Sequence, residues 1–179
     1  MRLVKKGKRI LLRKPRMKDA DKITEYCQDK AMHKYTLRLP WPYKQKHAIS
    51  YLKDCAKNWK TKKGYPYVIE FEGKLIGMVD LRPEEGDKAS FGYWIAHPYW
   101  GKGFATEATK LVMKEGFKAL KLHRIYATHN PKNTASGRVM EKLGMKYEGL
   151  LREHEKKGKK YVDSVYRGIL RREFKHRNS

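Results

Sequence analysis

The residues from Gly92 to Ala108, Gly-Tyr-Trp-Ile-Ala-His-Pro-Tyr-Trp-Gly-Lys-Gly-Phe-Ala-Thr-Glu-Ala, read as a strand, a glycine-containing turn and the first turn of a helix. The first amides of a helix have no partner within it, and with the helix dipole they make an anion site. Gly101 and Gly103 carry no side chain that would keep a phosphate from the backbone. A pyrophosphate is therefore expected on the amides of Gly101, Lys102, Gly103, Phe104, Ala105 and Thr106. The spacing is neither a Walker loop nor Gly-x-Gly-x-x-Gly, and a Gly-x-Gly alone also suits an ordinary turn. A second polar segment, Asn130-Pro131-Lys132-Asn133-Thr134-Ala135-Ser136, leads into Val139-Met140-Glu141-Lys142-Leu143-Gly144-Met145. Asn133 has the chemistry of a helix N-cap there.

These groups need a frame. Arg9–Lys14 reads as a short strand ended by Pro15, and Ala20, Ile23, Tyr26 and Cys27 recur at helical spacing after Asp19. Pro40-Trp41-Pro42 marks a loop. A second helix is predicted over Gln45–Lys60 and is closed by Lys62-Lys63-Gly64. Tyr65–Phe71 and Leu75–Leu81 read as a hairpin turning at Glu72-Gly73-Lys74, with Pro83–Asp87 a turn and Ala89–Ala96 a third strand. A helix begins near Ala105. Arg124–His129 is a strand, Asn133–Leu143 a helix, and Met145–Leu151 and Val162–Leu170 are closing strands. The order predicts a mixed α/β (α+β) domain on a twisted sheet of six to seven strands with about four helices.

The chain has 179 residues, 40% hydrophobic and 12% aromatic, which suits one domain over 1–179 and is too apolar for a disordered chain. The end at 171–179 is basic and is expected to be flexible. The apolar runs are too short for a membrane span, and the basic N-terminus lacks the apolar stretch of a signal peptide. Cys27 and Cys55 form neither a disulfide framework nor a Cys-x-x-Cys metal site, so reduced thiols in a cytoplasmic protein without a metal are expected. The net charge is +24, concentrated in Arg2–Lys18 and Arg152–Arg177. Such a field attracts polyanions, so the ends are candidates for RNA or ribosome contact, although a solvated lysine-rich surface gives the same composition.

The strand Gly92-Tyr93-Trp94, the loop Tyr99-Trp100-Gly101-Lys102-Gly103-Phe104-Ala105-Thr106-Glu107-Ala108, Asn133-x-x-Ser136 and Glu141-Lys142-Leu143-Gly144 occur in one order. Together they resemble the GNAT N-acetyltransferase superfamily, and within it the RimJ/RimL-like branch of ribosomal-protein N-terminal acetyltransferases. The resemblance runs from the Arg9–Arg13 strand to Asp163. It implies the GNAT fold and acetyl-CoA as co-substrate, with the pyrophosphate on this loop. Trp100 stands at the position where the superfamily carries Gln or Arg. The resemblance also implies a splayed gap where the backbone of Ile95 and Ala96 pairs with the pantetheine arm, and contact of Asn133 and Ser136 with that arm. The implied acceptor is a primary amine, most of all a protein N-terminus, taken by a monomer or a homodimer. The alternatives are a small amine (polyamine, amino acid or aminoglycoside) or a non-catalytic module that binds CoA or the ribosome.

Direct transfer needs a base for the amine, a donor for the thioester oxygen and a proton for the leaving thiolate. Ser90 occupies the position at which many superfamily members carry a glutamate, and a serine can hold a water but is no such base. Glu155, matched to a glutamate after the Glu148-Gly149 step, is the first candidate base, and Asp80 the second. His97 is a further candidate with a structural alternative. Ser136 is the expected acid, and the amide of Ile95 or Ala96 the oxyanion donor. Trp41-Pro42-Tyr43 and Tyr65-Pro66-Tyr67 either line the acceptor pocket or belong to the core.

Overall fold

A computed structural model describes residues 1–2, 4–37 and 39–176. The elements follow as β1 (Val4–Lys6), β2 (Ile10–Arg13), α1 (Ala20–Cys27), α2 (Lys30–Tyr35), α3 (Gln45–Thr61), β3 (Tyr65–Phe71), β4 (Lys74–Glu84), β5 (Lys88–Ile95), α4 (Phe104–Ala119), β6 (Arg124–His129), α5 (Thr134–Lys142), β7 (Lys146–Lys157), β8 (Lys160–Leu170) and α6 (Arg171–His176). The strands form one sheet in the order β1-β2-β3-β4-β5-β6-β8-β7. Neighbours are antiparallel except β5 and β6.

The expected sheet of six to seven strands has eight, and there are six α-helices rather than about four. The additions are β1, which carries no apolar alternation, and two short helices, α2 and α6. Asp29 starts α2 by accepting the Ala31 N–H at 2.7 Å. Residues 171–176, expected to be flexible, form α6, whose Phe174 packs on Phe117 with ring centroids 5.1 Å apart. Residues 177–179 of that end lie outside the described residues. Pro83 is a residue of β4 and not of a turn, because it lies beyond Leu81, the last residue of β4 paired to β3. A missing N–H costs a strand nothing where no neighbour is present to accept it.

Side chains alternate across the sheet. Val79 and Leu81 of β4, Phe91 and Ile95 of β5, and Ile125 and Ala127 of β6 share a core with Ala108, Val112 and Met113 of α4. On the opposite face Val68, Leu75 and Met78 meet Ile23 of α1 and Ala48, Leu52 and Cys55 of α3. Tyr43, Tyr65 and Tyr67 are buried in these two cores, and only Trp41 of the two aromatic clusters is exposed. Helices α1–α3 pack over the half of the sheet around β3 and β4. Even-numbered residues of β5 and β6 face the same way beyond that cover.

Candidate active site

Strands β5 and β6 are paired only at Lys88–Arg124, Ala89–Ile125 and Ser90–Tyr126. Past that last rung β5 continues beside β4 to Ile95, and β6 continues beside β8 to His129. The two strands therefore diverge into a V with Ser90 and Tyr126 at its vertex. Groups turned toward and away from a neighbour alternate along a strand. The Ala96 N–H reaches Ile76 O at 2.8 Å, which turns the Ile95 backbone toward the gap. Ala96 O in turn accepts the Tyr99 N–H at 2.9 Å. Of the two amides expected to serve the gap, the one at Ala96 is engaged within the fold and the one at Ile95 faces outward.

The phosphate loop stands at one mouth of the V. Gly101 and Gly103 have φ of 74° and 80°, a region that disfavours any residue with a Cβ. A Cβ at Gly101 would meet nothing within 4 Å, so the backbone there is open to an approaching group. Gly103 is the N-cap of α4 and offers no side chain to the helix amides. Trp100 donates its indole N–H to Ile95 O at 2.6 Å and packs against Tyr35 and His97. His97 is held by Asp29 at 2.9 Å. Arg9 went unnoticed among the N-terminal cations. It donates to Lys102 O at 3.0 Å and to Glu107 Oε2 at 2.9 Å, and stacks over Phe104. Its Nη2 lies 3.5 Å from the point a Gly103 Cβ would occupy, which sets a fixed cation beside the open amides.

Helix α5 forms the second wall. Asn133 caps it by accepting the Ser136 N–H at 3.1 Å, and donates from Nδ2 to Tyr35 O at 3.4 Å. Tyr93, in the gap segment of β5, donates its hydroxyl to Ser136 Oγ at 3.1 Å. Burial pushes the Tyr93 phenol up to about 12, against the opposing effect of Ser136, so the pair stays protonated near neutrality. His129, at the end of β6, is held below its ordinary range by burial. A Cβ at Gly137 would lie 3.1 Å from its ring, so a glycine is needed for α5 to sit this close.

On the opposite face, beyond α3, lies a floor of side chains from four strands. Tyr126 and Tyr166 are stacked with ring centroids 6.1 Å apart. Tyr126 donates to Glu84 at 2.8 Å, and Tyr166 meets His154 Nε2 at 3.0 Å. Strand β7 bulges here: Leu151 opposes Ser164 and Glu155 opposes Val162, so three residues face Asp163 alone. Glu153 at the bulge has φ of 50° and gives its N–H to Asp163 Oδ1 at 2.8 Å. Such a bulge re-aims side chains, here His154 onto Tyr166. Glu155 is half-buried on β7. Burial first, then the charges of Glu155 and Glu84, raise the Tyr166 phenol. Asp80 lies nearer α3. Its carboxylate accepts the Gly92 N–H at 2.8 Å and lies 3.4 Å from Arg82 Nε, and burial raises it. Asp80 and Glu155 thus share a face of the sheet but belong to different clusters, and Ser136 is on the other face with Tyr93. The signal for Tyr126, Tyr166 and Glu84 was strand parity alone, since even-numbered residues of β4, β6 and β8 oppose the apolar ones.

A parallel pair that opens into a V, with a capless helix N-terminus at its mouth, defines an acyltransferase of the kind that takes its acyl group from a CoA thioester. Residues 9–146 match the model of the acetyltransferase (GNAT) domain. A GNAT-family acetyltransferase from Bacillus anthracis has 33% sequence identity and superposes with a TM-score of 0.83, covering 95% of this chain and 99% of its own. RimJ of Mycobacterium smegmatis, solved in complex with CoA-disulfide, has 27% identity and a TM-score of 0.81 over 90% of this chain and 81% of its own. The spermidine N(1)-acetyltransferase of Escherichia coli (strain K12) is 34% identical over 107 residues, 59% of this chain and 55% of its own. The chain belongs to the GNAT acetyltransferase family and is an acetyl-CoA-dependent N-acetyltransferase. The open backbone at Gly101 and the capless start of α4 fit the anionic part of that donor.

Proposed function

We propose that this enzyme acetylates the N-terminal α-amine of a protein by direct transfer within the β5/β6 gap. The observation that carries the reading is the asymmetry of the gap. One mouth has an anion loop and the Tyr93–Ser136 pair, and the other opens on a broad floor that no helix covers. An uncovered floor admits the end of a polypeptide, whereas a closed pocket selects a small molecule. In this reading the amides of Gly101 to Thr106, with Trp100 and Arg9 shaping the loop, hold the pyrophosphate. The Ile95 backbone and Asn133 border the pantetheine arm, and the Ile95 N–H faces the thioester oxygen. Ser136 gives the departing sulfur its proton and is resupplied along its hydrogen bond with Tyr93. The amine loses its proton on the floor side, where Glu155 and Glu84 are the carboxylates acting on the tyrosines. An α-amine has an ordinary pKa near 8, so a weak base suffices at neutral pH.

The likeness to RimJ supports a peptide acceptor, and that to the spermidine enzyme supports a small amine. Thiol release from acetyl-CoA separates them. A panel of free-N-terminal peptides is expected to turn over with kcat/KM at least tenfold above spermidine, amino acids and aminoglycosides. Preference for spermidine moves the acceptor to small amines, and CoA binding without turnover on any amine indicates a binding module. We further propose that the basic ends dock the enzyme on ribosomal RNA. Retention on ribosomes at about 50 mM salt, lost steeply at higher salt, tests this.

A further inference from the structure

We propose that Glu84 is the proton sink for the acceptor amine, reached through the Tyr126 phenol from Ser90, which takes the proton at the vertex of the gap. The inference rests on the acetyl-transfer reading above and assigns the base within it. Ser90 stands where a glutamate would serve, and no other strand residue supplies a carboxylate at the vertex. Ser90 and Tyr126 are register partners on the last rung before the strands part, and their side chains share the uncovered face. The Ser90 hydroxyl approaches the Tyr126 phenol closely enough to favour its charged form. The phenol in turn lies within hydrogen-bond distance of both Glu84 oxygens, at 2.8 and 3.0 Å. Two hydroxyls therefore join the vertex to an exposed carboxylate.

The other acids on this face are not joined to the vertex in this way. The carboxylate of Asp80 is engaged by the Gly92 N–H and faces Arg82. Glu155 acts on Tyr166, whose hydroxyl meets His154.

The transfer balances with no outside reagent. As the amine nitrogen attacks the thioester carbon it becomes cationic and gives one proton to Ser90 Oγ. Ser90 passes its own proton to Tyr126 Oη, and Tyr126 passes its proton to a Glu84 oxygen. Both hydroxyls are regenerated, Glu84 becomes a carboxylic acid, and water removes that proton from the exposed group. Burial holds the Tyr126 phenol above its ordinary range, so it relays the proton without standing as a phenolate. Ser90 is thus the catalytic residue, and Tyr126 and Glu84 act through it.

The charges around the sink are mixed. Lys88 is the register partner of Glu84 on β5, and Arg82 lies two residues back on β4. Arg124 of β6 sits over the Tyr126 ring and is paired to Glu148 of β7, and Tyr166 of β8 lies alongside.

The test uses the full chain with acetyl-CoA and either a serine-initiated pentapeptide with a free N-terminus or spermidine. Glu84→Gln is expected to lower kcat roughly 10²-fold at pH 7, the low end for a lost general base. The deficit should narrow as pH rises and hydroxide replaces the carboxylate, with acetyl-CoA affinity unchanged. Tyr126→Phe and Ser90→Ala should show the same pH-dependent loss, and Glu84→Asp should recover part of it. A wild-type kcat and pH profile in Glu84→Gln overturns the relay, as does a loss that is constant with pH and shared with acetyl-CoA affinity. Turnover of spermidine but not peptide overturns the peptide reading and leaves the relay to be judged on spermidine. A wild-type protein inert toward both amines overturns both.

Discussion

The two faces of the β5/β6 gap are built by different means. On the α4 and α5 side the binding groups come mostly from two contiguous stretches, residues 95–106 and 133–136, and the backbone does much of the work. On the uncovered side the groups are single side chains: Glu84, Ser90, Tyr126, Tyr166 and Glu155 come from five strands, and only sheet register brings them together. The first arrangement suits a ligand whose phosphates and amide-bearing arm can be read by backbone hydrogen bonds. The second can be retuned one side chain at a time without altering the loop that holds the donor. The contrast separates what binds the acetyl donor from what selects its acceptor.

Mutations can break this contrast from either side. The largest effect is expected from Gly103→Glu, which places a Cβ at φ of 80° and a negative charge at the anion site. Calorimetry should show acetyl-CoA affinity reduced more than 10²-fold while circular dichroism reports a folded protein. Unchanged affinity in a folded variant would move the donor away from this loop. Next is Ser136→Ala, expected to lower kcat by roughly 10²-fold as a lost general acid, with a normal Kd for acetyl-CoA. Tyr93→Phe should give a similar but smaller loss, and a change confined to Kd would make the pair part of the binding wall.

Arg9→Ala tests whether the fixed cation belongs to the donor side. The expected result is about tenfold weaker acetyl-CoA binding, equivalent to about 1.4 kcal/mol, with the acceptor KM unmoved. The smallest effect should come from Glu155→Gln, which is expected to raise the acceptor KM about threefold through the Tyr166 end of the floor while kcat stays within twofold of wild type. A kcat loss as large as that of Glu84→Gln would make Glu155 the base after all.

The donor side was legible in the sequence because its chemistry is local. Two glycines in left-handed backbone, a helix start and an N-cap asparagine sit within short windows, and their order specifies the family. Most strands were legible from alternation, and β6 is found at its expected limits, Arg124–His129. The acceptor side was illegible because its residues lie up to eighty-odd positions apart, from Glu84 to Tyr166, and none belongs to a motif. Ser90 looked like a loss of function when read alone, since its partner Tyr126 emerges only from the β5/β6 register. Helix α2 was missed for a different reason. It is a short helix with one buried apolar residue, Met32, and its C-terminal carbonyls are met from far along the chain by Lys157, at 2.9 Å from His33 O and 2.7 Å from Lys34 O.

The strand order also governs when the site can exist during synthesis. Strand β8 lies between β6 and β7, so the free edge of β6 stays unpaired until residues 160–170 have been made. The donor loop and its helix are complete some fifty residues earlier. A chain emerging vectorially, with its N-terminal parts ordering first, would thus carry a donor-binding loop before it has an acceptor floor. Tyr166, His154 and the Lys157 clasp on α2 come into place only when the β7–β8 hairpin docks. The enzyme is consequently built so that its ability to hold an acetyl group precedes its ability to give one away.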